Sequence, residues 1–346
     1  MEENKINFRS IAKNILISFI LTILAIFVIV ILTKGEGFFG IFFEIKPFYL
    51  VLAFLMVGFS WILESVIILL SLKLVNKKIL LREAINLAII GNFFSAVTPF
   101  QTGGQPFQMY LLNKNFNVEY GKSALIFLIK EVVAFIVRIS LFVAIPIFIA
   151  FFKFEFNLSK GVNLALNIGL LFYFLISILI ILAIFKTKKL ALLIEKIVMK
   201  IFPPKTSEKI IEEIEKNINM FEEGKKSINR KNIKDLFVIF ILSLLQWLTS
   251  LFIPVILLKG LGSDSPILSI IFVTIIFLLS IVYVPTPGTS GAAEIGIAFL
   301  FSSFLPRQPL VTFILLWRFF YYYLTIIVGG IFLLKEFLKK RKIKKS

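Results

Sequence analysis

Uninterrupted runs of apolar residues constrain this chain more than any other feature. A helix needs about 20 apolar residues to cross the hydrocarbon core of a bilayer. Runs of that length cover residues 12–33, 48–72, 122–152, 161–185, 235–258 and 309–334. Because they lack the two-residue alternation of barrel strands, we predict an all-α polytopic membrane protein with about six full crossings.

The absence of two residue types limits the catalytic and metal-binding sites that the chain can form. The chain contains no cysteine and no histidine, which excludes disulfides, thiolate metal sites and a Ser-His-Asp mechanism. We therefore expect no catalytic residue, no metal site and no cofactor. The first apolar run is too long for a signal peptide and lacks a small-residue cleavage site, so we expect it to be retained as a helix.

Positive charge predicts the orientation. Of 38 Lys and Arg residues, only Lys130, Arg138 and Arg318 lie inside apolar runs. With the N-terminus in the cytoplasm, 29 of the others are cytoplasmic and six are not. This asymmetry predicts a plasma or inner membrane protein with both termini cytoplasmic. The net charge of +18 then needs no nucleic-acid partner, and it predicts attraction to anionic membrane lipids.

One stretch, residues 82–113, does not fit a simple crossing. The sequence Thr98-Pro99-Phe100-Gln101-Thr102-Gly103-Gly104-Gln105-Pro106 interrupts it, and its prolines and glycines prevent a continuous helix. After this break we expect only residues 107–112 to be helical, which is too short to span. Both flanks carry cytoplasmic-type charge, so we predict a re-entrant hairpin entered from the cytoplasm.

A second interrupted stretch covers residues 266–304. Its break is Val284-Pro285-Thr286-Pro287-Gly288-Thr289-Ser290-Gly291, followed by a helix to about residue 304. The charge pattern places both of its ends outside. The sequence leaves open whether its longer arms cross the membrane fully.

The two interrupted stretches have matching surroundings. Thr98 and Lys130 are 32 residues apart, and so are Thr286 and Arg318. We therefore predict an inverted repeat with halves at about 48–152 and 235–334, whose broken loops meet around a central binding site. Helix N-termini that leave such loops favour an anionic group such as phosphate.

Charged residues inside the apolar runs are candidate site residues. Lys130, Glu131 and Arg138 share one helix. They either form ion pairs with Glu64 or each other, or the two cations contact a lipid phosphate while Glu131 is the counter-charge. Arg318 has one candidate partner, Glu294, which either stabilises a helix N-terminus or binds a cationic head group or proton. The loop hydroxyls either cap helices or contact a head group.

The remaining segments are polar. Residues 186–234 contain apolar positions at helical spacing between Glu and Lys, which predicts a cytoplasmic amphipathic linker lying on the membrane or against the bundle. Pro203-Pro204 and Gly224 are expected to mark the ends of its helix. Residues 1–335 are thus one transmembrane domain, and 335–346 a basic cytoplasmic tail.

The interrupted stretches resemble a known family. Gly91-Asn92, Thr98-Pro99-Phe100, Gly103-Gly104-Gln105-Pro106 and Tyr110-Leu111-Leu112 are similar to the first hallmark of the lysylphosphatidylglycerol synthase/flippase transmembrane family. Its second and third hallmarks are similar to Pro285-Thr286-Pro287-Gly288, Gly291 and Glu294, and to Trp317-Arg318. In many relatives Glu and Arg stand where this chain has Gln105 and Gln108.

This resemblance implies a phospholipid translocase that moves an anionic or aminoacylated phospholipid, such as lysyl-phosphatidylglycerol, between leaflets. The alternatives are a phosphatidylglycerol lysyltransferase that acts with a separate transferase chain, since residues after Lys335 form only a basic tail, and a secondary transporter of a small anion. The expected lipid-binding residues come from both loops and from the buried charges. They are Thr98, Pro99, Gly103, Gly104, Gln105, Lys130, Glu131, Arg138, Thr286, Pro287, Gly288, Gly291, Glu294 and Arg318.

Overall fold

The protein was analysed as a computed structural model that describes residues 45–151, 186–201, 203–228, 230–281 and 284–343, together with isolated helical positions within 16–27 and 171–178. The predicted crossings at 12–33 and 161–185 otherwise lie outside the described residues. Every regular element among the described residues is helical, as predicted. The α-helices are α1 (Pro47–Leu74), α2 (Leu81–Ala96), α3 (Gly104–Phe116), α4 (Tyr120–Phe151), α5 (Thr187–Ile201), α6 (Pro204–Ser227), α7 (Ile233–Gly260), α8 (Ile267–Ile281), α9 (Ala292–Phe301), α10 (Arg307–Arg318) and α11 (Leu324–Ile343).

The described helices include three that are long and apolar enough to cross a membrane. They are α1, α7 and the continuous stretch Pro309–Glu336, in which a π-helical turn at Phe319–Tyr323 joins α10 to α11. Large apolar side chains such as Phe54 on α1 and Phe237 on α7 are exposed. Exposed apolar faces of this kind are suited to contact with lipid.

Helices α1 and α7 make the most extensive helix–helix contact in the described part of the chain. Lys73 in the last turn of α1 pairs with Asp235 in the first turn of α7, Nζ to Oδ1 2.9 Å. At the other end Gly260 lies against Tyr49, because a Cβ at Gly260 would lie 2.9 Å from the Tyr49 Cβ. The two helices are therefore antiparallel.

The first interrupted stretch is a helical hairpin of α2 and α3. Helix α2 ends at Ala96 because Pro99 disfavours helical backbone at the preceding residue, and Thr98 is extended (φ −116°, ψ 148°). The expectation that only residues 107–112 are helical after the break was wrong. Helix α3 has 13 residues and begins at Gly104, because Pro106 lies in its first turn, where its missing N–H costs no helical hydrogen bond.

The arms of this hairpin are in very close contact at two glycines. A Cβ at Gly104 would lie 2.6 Å from the Gly91 carbonyl oxygen and 2.1 Å from the Ser95 Oγ. A Cβ at Gly91 would lie 2.1 Å from the Gln108 Nε2, and this amide donates to the Leu87 carbonyl (3.0 Å). Small residues therefore allow α2 and α3 to pack backbone to backbone.

The second interrupted stretch has the same order: α8, a break and α9. Between them, the described residues 284–291 include a short 3₁₀ turn at Pro287–Thr289, and the first break has its own 3₁₀ turn at Pro99–Gln101. Residues 97–103 are called the first loop below, and residues 284–291 the second loop. The two loops contact each other, which confirms that they meet.

The polar segment after residue 186 forms two helices rather than one. Helix α6 packs against α4, and α5 packs against α6. The predicted helix end at Gly224 was wrong: α6 continues to Ser227, and Gly224 instead makes room for Leu125, whose Cδ2 would lie 2.9 Å from a Cβ there. Of the two placements considered, contact with the bundle therefore holds for α6.

Candidate functional site

A cavity of about 750 Å³ lies where the two loops meet. Its walls come from two parts of the chain, α1 to α4 and α7 to α11 with the π-helical turn. A pocket of this size is within the range that binds small ligands and head groups. The polar groups around it form three separate clusters, each of which contains one cation and one carboxylate.

The first cluster is centred on Glu64 of α1. Its carboxylate accepts a hydrogen bond from the Lys130 ammonium of α4 (2.6 Å) and another from the Asn92 side-chain amide of α2 (2.8 Å). Glu64 is buried, and a buried carboxylate needs such partners. Of the ion-pair partners considered for Lys130, the structure shows Glu64. Contact of Lys130 with a lipid phosphate stays a prediction.

The second cluster is centred on Glu131 of α4. Gln105, in the first turn of α3, donates to Glu131 Oε1 (2.6 Å), and Arg138, two turns further along α4, lies with its Nη2 3.4 Å from Oε2. The Arg138 guanidinium also lies over the Trp247 ring of α7, 5.2 Å from the centroid. This pairing within α4 is one of the ion pairs that the sequence left open.

The third cluster consists of Arg318 of α10 and Glu294 of α9 and contacts the second loop. Arg318 Nε lies 2.7 Å from Glu294 Oε1, which confirms the predicted partnership. Arg318 also donates to the Gly288 carbonyl (3.0 Å) and to Ser290 Oγ (2.7 Å). The other Glu294 oxygen accepts the N–H of Gly291 (2.7 Å), as expected for a carboxylate in the first turn of α9.

An aromatic ring covers the Arg318 guanidinium. Tyr322 lies within the π-helical turn, and its ring centroid is 4.4 Å from the Arg318 Cζ. The same ring lies against Gly288, where a Cβ would lie 2.0 Å from Tyr322 Cε2. Tyr321 and Tyr322 line the cavity, and the third tyrosine, Tyr323, is not among its described lining residues.

The two loops have the same local backbone. In each, an extended threonine (Thr98, Thr286) precedes a proline and then two residues with left-handed φ angles. These φ angles are 53° and 55° at Phe100 and Gln101, and 58° and 55° at Gly288 and Thr289. Their surroundings differ, because residues 99–102 are exposed, whereas residues 287–290 are buried.

The loop hydroxyls bond to the loops themselves. Thr98 Oγ1 accepts the N–H of Gly103 (2.9 Å) and donates to the Phe94 carbonyl (2.7 Å). Thr286 Oγ1 donates to the Ser290 carbonyl (3.0 Å). Thr98 and Thr286 thus stabilise the loop backbone, and neither makes a side-chain N-cap hydrogen bond. Contact of these hydroxyls with a head group stays a prediction.

The structure divides the sequence-predicted site residues into two groups. Those that line the cavity are Gly104, Gln105, Lys130, Glu131, Arg138, Gly288 and Arg318. Those that are not among its described lining residues are Thr98, Pro99, Gly103, Thr286, Pro287, Gly291 and Glu294. Whether any of them binds a lipid stays a prediction.

Further lining residues were absent from the predicted set. They include Glu64, Asn92, Gln108, Gln246, Trp247 and Tyr322. Glu64 could have been added from its charge within an apolar run, and Asn92 from its place in the first hallmark. Trp247 carried no such signal. Among the described residues, no group of three or more side chains is placed to hold a metal ion.

These features define a polytopic helical membrane protein with a cavity, lined in part by charged side chains, where two broken helical segments meet. The family model "Lysylphosphatidylglycerol synthase TM region" matches residues 15–329, so the chain belongs to that family, as the hallmark residues predicted. It is also 27% identical over 300 residues to a "UPF0104 membrane protein" of Archaeoglobus fulgidus, an alignment that covers 85% of this chain and 88% of the relative. No solved structure matches the chain.

Proposed function

We propose that this protein is a phospholipid translocase that binds an anionic or aminoacylated head group in the cavity and moves it between leaflets. The observation that supports this most is the location of three cation–carboxylate clusters around one cavity between membrane helices. Ionisable groups at such depth are costly and are typical of substrate pathways. Lysyl-phosphatidylglycerol is the substrate that the family description favours.

We further propose that the two halves form an inverted repeat. An offset of 188 residues relates Thr98 to Thr286 and Lys130 to Arg318. When this offset is added to their residue numbers, α1 to α4 nearly coincide with α7, α8, α9 and the continuous α10–α11 stretch. The antiparallel packing of α1 and α7 supports opposite orientations of the halves. In transporters of this kind the substrate site lies between the repeats.

The charge pattern supports an orientation for this proposal. We propose that both termini and the 186–234 linker face the cytoplasm, and that the protein resides in the plasma or inner membrane with anionic lipids as partners.

Two other functions have specific support. The family description suggests a lysyltransferase that acts with a separate chain, and the anion-compatible cavity suggests a transporter of a small anion.

Reconstitution into liposomes tests the main proposal. Fluorescent phospholipids with different head groups are added, and a membrane-impermeant quencher reports how much of each lipid remains protected in the inner leaflet. We expect faster transfer with protein than in empty liposomes. Gly58→Ala, whose added Cβ would have nothing within 4 Å, should transfer lipid at the same rate as the wild type.

Two results would argue for the other functions. Uptake of radiolabelled inorganic phosphate without any lipid transfer would favour the anion transporter. New lysyl-lipid in cells that express this chain, with no transfer by the purified protein, would favour a transferase partnership. Absence of transfer for every lipid tested would remove the translocase proposal.

A further inference from the structure

The cavity holds three cations, but their ion pairs are not equivalent. The closest N–O distances are 2.6 Å for Lys130–Glu64, 2.7 Å for Arg318–Glu294 and 3.4 Å for Arg138–Glu131. The Arg138–Glu131 pair is thus the longest of the three. Its side chains are also the most accessible, with 19% exposure for Arg138 and 28% for Glu131.

The two short pairs hold each half together internally. Lys130 and Glu64 both belong to the first half, where Asn92 shares the carboxylate. Arg318 and Glu294 both belong to the second half, and Arg318 also binds the second loop at Gly288 and Ser290. A ligand that recruited either cation would have to dismantle the half in which it lies.

Arg138 instead lies at the boundary between the halves. It projects from α4 of the first half onto Trp247 of α7 in the second half, and both residues line the cavity. The guanidinium is a planar fork that matches two phosphate oxygens, and its stacking on an aromatic ring is compatible with that contact. Substrates of two-repeat transporters bind at this kind of boundary.

Glu131 has a second partner that is independent of Arg138. Its Oε1 accepts the Gln105 amide at 2.6 Å, so the carboxylate keeps a strong hydrogen bond when its contact with Arg138 is replaced. Gln105 lies in the first turn of α3, directly after the first loop. Glu131 thus connects Arg138 to the hairpin that carries the exposed loop.

We infer that Arg138, stacked on Trp247, is the phosphate-binding residue of the cavity, and that a ligand phosphate takes the place of Glu131 on its guanidinium. This inference rests on the proposed binding of a phosphate-bearing ligand and names the residue that receives it. Lys130 and Arg318 remain structural. The ligand is a phosphodiester head group or a soluble phosphate, since both present the same oxygens.

The balance of charges in the three clusters also predicts which head groups bind most tightly. The described cations and carboxylates of the three clusters balance one to one, so a bound phosphate leaves Glu131 next to an anion without its cation. Like charges in a partly buried site repel strongly. A head group that carries its own cation beside the phosphate offsets this repulsion, so zwitterionic head groups bind more tightly than anionic ones.

Direct binding to the purified full chain tests the inference separately from transport. Short-chain phospholipids with a zwitterionic or an anionic head group, and inorganic phosphate, are titrated and binding is followed by a shift in melting temperature. We expect Arg138→Gln to weaken phosphate-ligand binding by about tenfold or more, the loss of a charge-assisted bidentate contact. Lys114→Gln, an exposed cation outside the cavity, should bind like the wild type.

Glu131→Gln supplies a readout that a structural role would not change. This substitution removes the Glu131 charge that a bound phosphate would leave without its cation. Binding of the anionic head group should therefore improve relative to the zwitterionic one. If Arg138→Gln does not fold, Arg138→Lys, which keeps the charge but loses the fork, should also bind more weakly.

Three outcomes would overturn the inference: equal binding by wild type and both Arg138 variants, no binding of any phosphate ligand by the wild type, or an unchanged head-group ratio in Glu131→Gln. Phosphate binding that depends on Arg138 without lipid transfer would uphold the inference and reject the translocase. If Arg138→Gln still transfers lipid at the wild-type rate, the translocase proposal would be upheld and the inference about Arg138 rejected.

Discussion

Arg318 of α10 and Glu294 of α9 form a buried ion pair, Nε to Oε1 2.7 Å, beside the second loop. Arg318 is 5% exposed and Glu294 is fully buried. Each partner also bonds to the loop backbone, Arg318 at the Gly288 carbonyl and Glu294 at the Gly291 N–H. The pair thus holds the wall of the cavity in place.

Breaking this pair should destabilise the protein severely. Glu294→Gln leaves the Arg318 guanidinium without a buried counter-charge, which typically costs about 3–5 kcal/mol. Arg318→Met leaves the Glu294 carboxylate buried, with a similar cost. The melting temperature of each purified variant checks this.

The double variant Arg318→Met with Glu294→Gln is the matched control. It removes both charges, so it should be less destabilised than the sum of the two single changes. A double variant whose loss equals that sum would show that the two residues do not stabilise each other.

Sequence reasoning could predict this pair because the choice of partners was small. Arg318 has no acidic residue in its own apolar run, and Glu294 is the one acidic residue between Pro266 and Pro306. Buried charges need counter-charges, so the partner followed from the distribution of acidic residues. For Lys130 the sequence left the partner open between Glu64 and Glu131, because Glu131 lies in the same apolar run.

Contacts between the halves were not predictable in this way. The position of Arg138 over Trp247 depends on how α4 packs against α7, two helices about a hundred residues apart, and neither residue type specifies that contact. Two helix ends were predicted wrongly, because a residue type that usually ends helices lies within a helix there. Pro106 lies in a first turn, and Gly224 serves the packing of α6 on α4.

The close approach of the hairpin arms predicts an effect of Gly104→Ala. Its Cβ would lie 2.6 Å from the Gly91 carbonyl oxygen, and backbone cannot move aside as a flexible side chain can. Overpacking of this kind typically costs about 1–3 kcal/mol. The melting temperature should therefore fall.

Gly58→Ala is the matched control for this change. Gly58 lies within α1 with nothing within 4 Å of a built Cβ, and alanine favours helix over glycine by about 1 kcal/mol. Its melting temperature should be unchanged or higher. Equal losses in the two variants would mean that the close approach in the hairpin is not what limits Gly104.

The left-handed residues of the two loops predict effects of opposite direction. Gly288→Ala should destabilise the protein, because its φ is +58° and its Cβ would overlap the Tyr322 ring. Phe100 holds the equivalent position with φ 53°, which costs a non-glycine residue about 1–2 kcal/mol. Its side chain is 47% exposed, so Phe100→Gly should not lower the melting temperature. Similar losses in both variants would contradict this.

Helix α5 has an exposed apolar face that fits a membrane surface. Ile194 and Ile201 are seven residues apart and therefore share one helix face, and they are 47% and 66% exposed. The exposed residues Lys189, Lys196 and Lys200 share a different face. Cationic amphipathic helices of this pattern lie in the interface, with attraction to anionic lipid of about 1 kcal/mol per cation near the surface.

We therefore expect α5 to lie in the interface of a bilayer that contains anionic lipid. Because the chain has no cysteine, a single cysteine can carry an environment-sensitive dye without background labelling. In nanodiscs with phosphatidylglycerol, dye at Ile194→Cys should be quenched by spin-labelled lipid more strongly than dye at Lys196→Cys. In nanodiscs of phosphatidylcholine alone that difference should shrink. Equal, weak quenching at both positions in both lipids would show that α5 stays in water, and its apolar face would then need another partner.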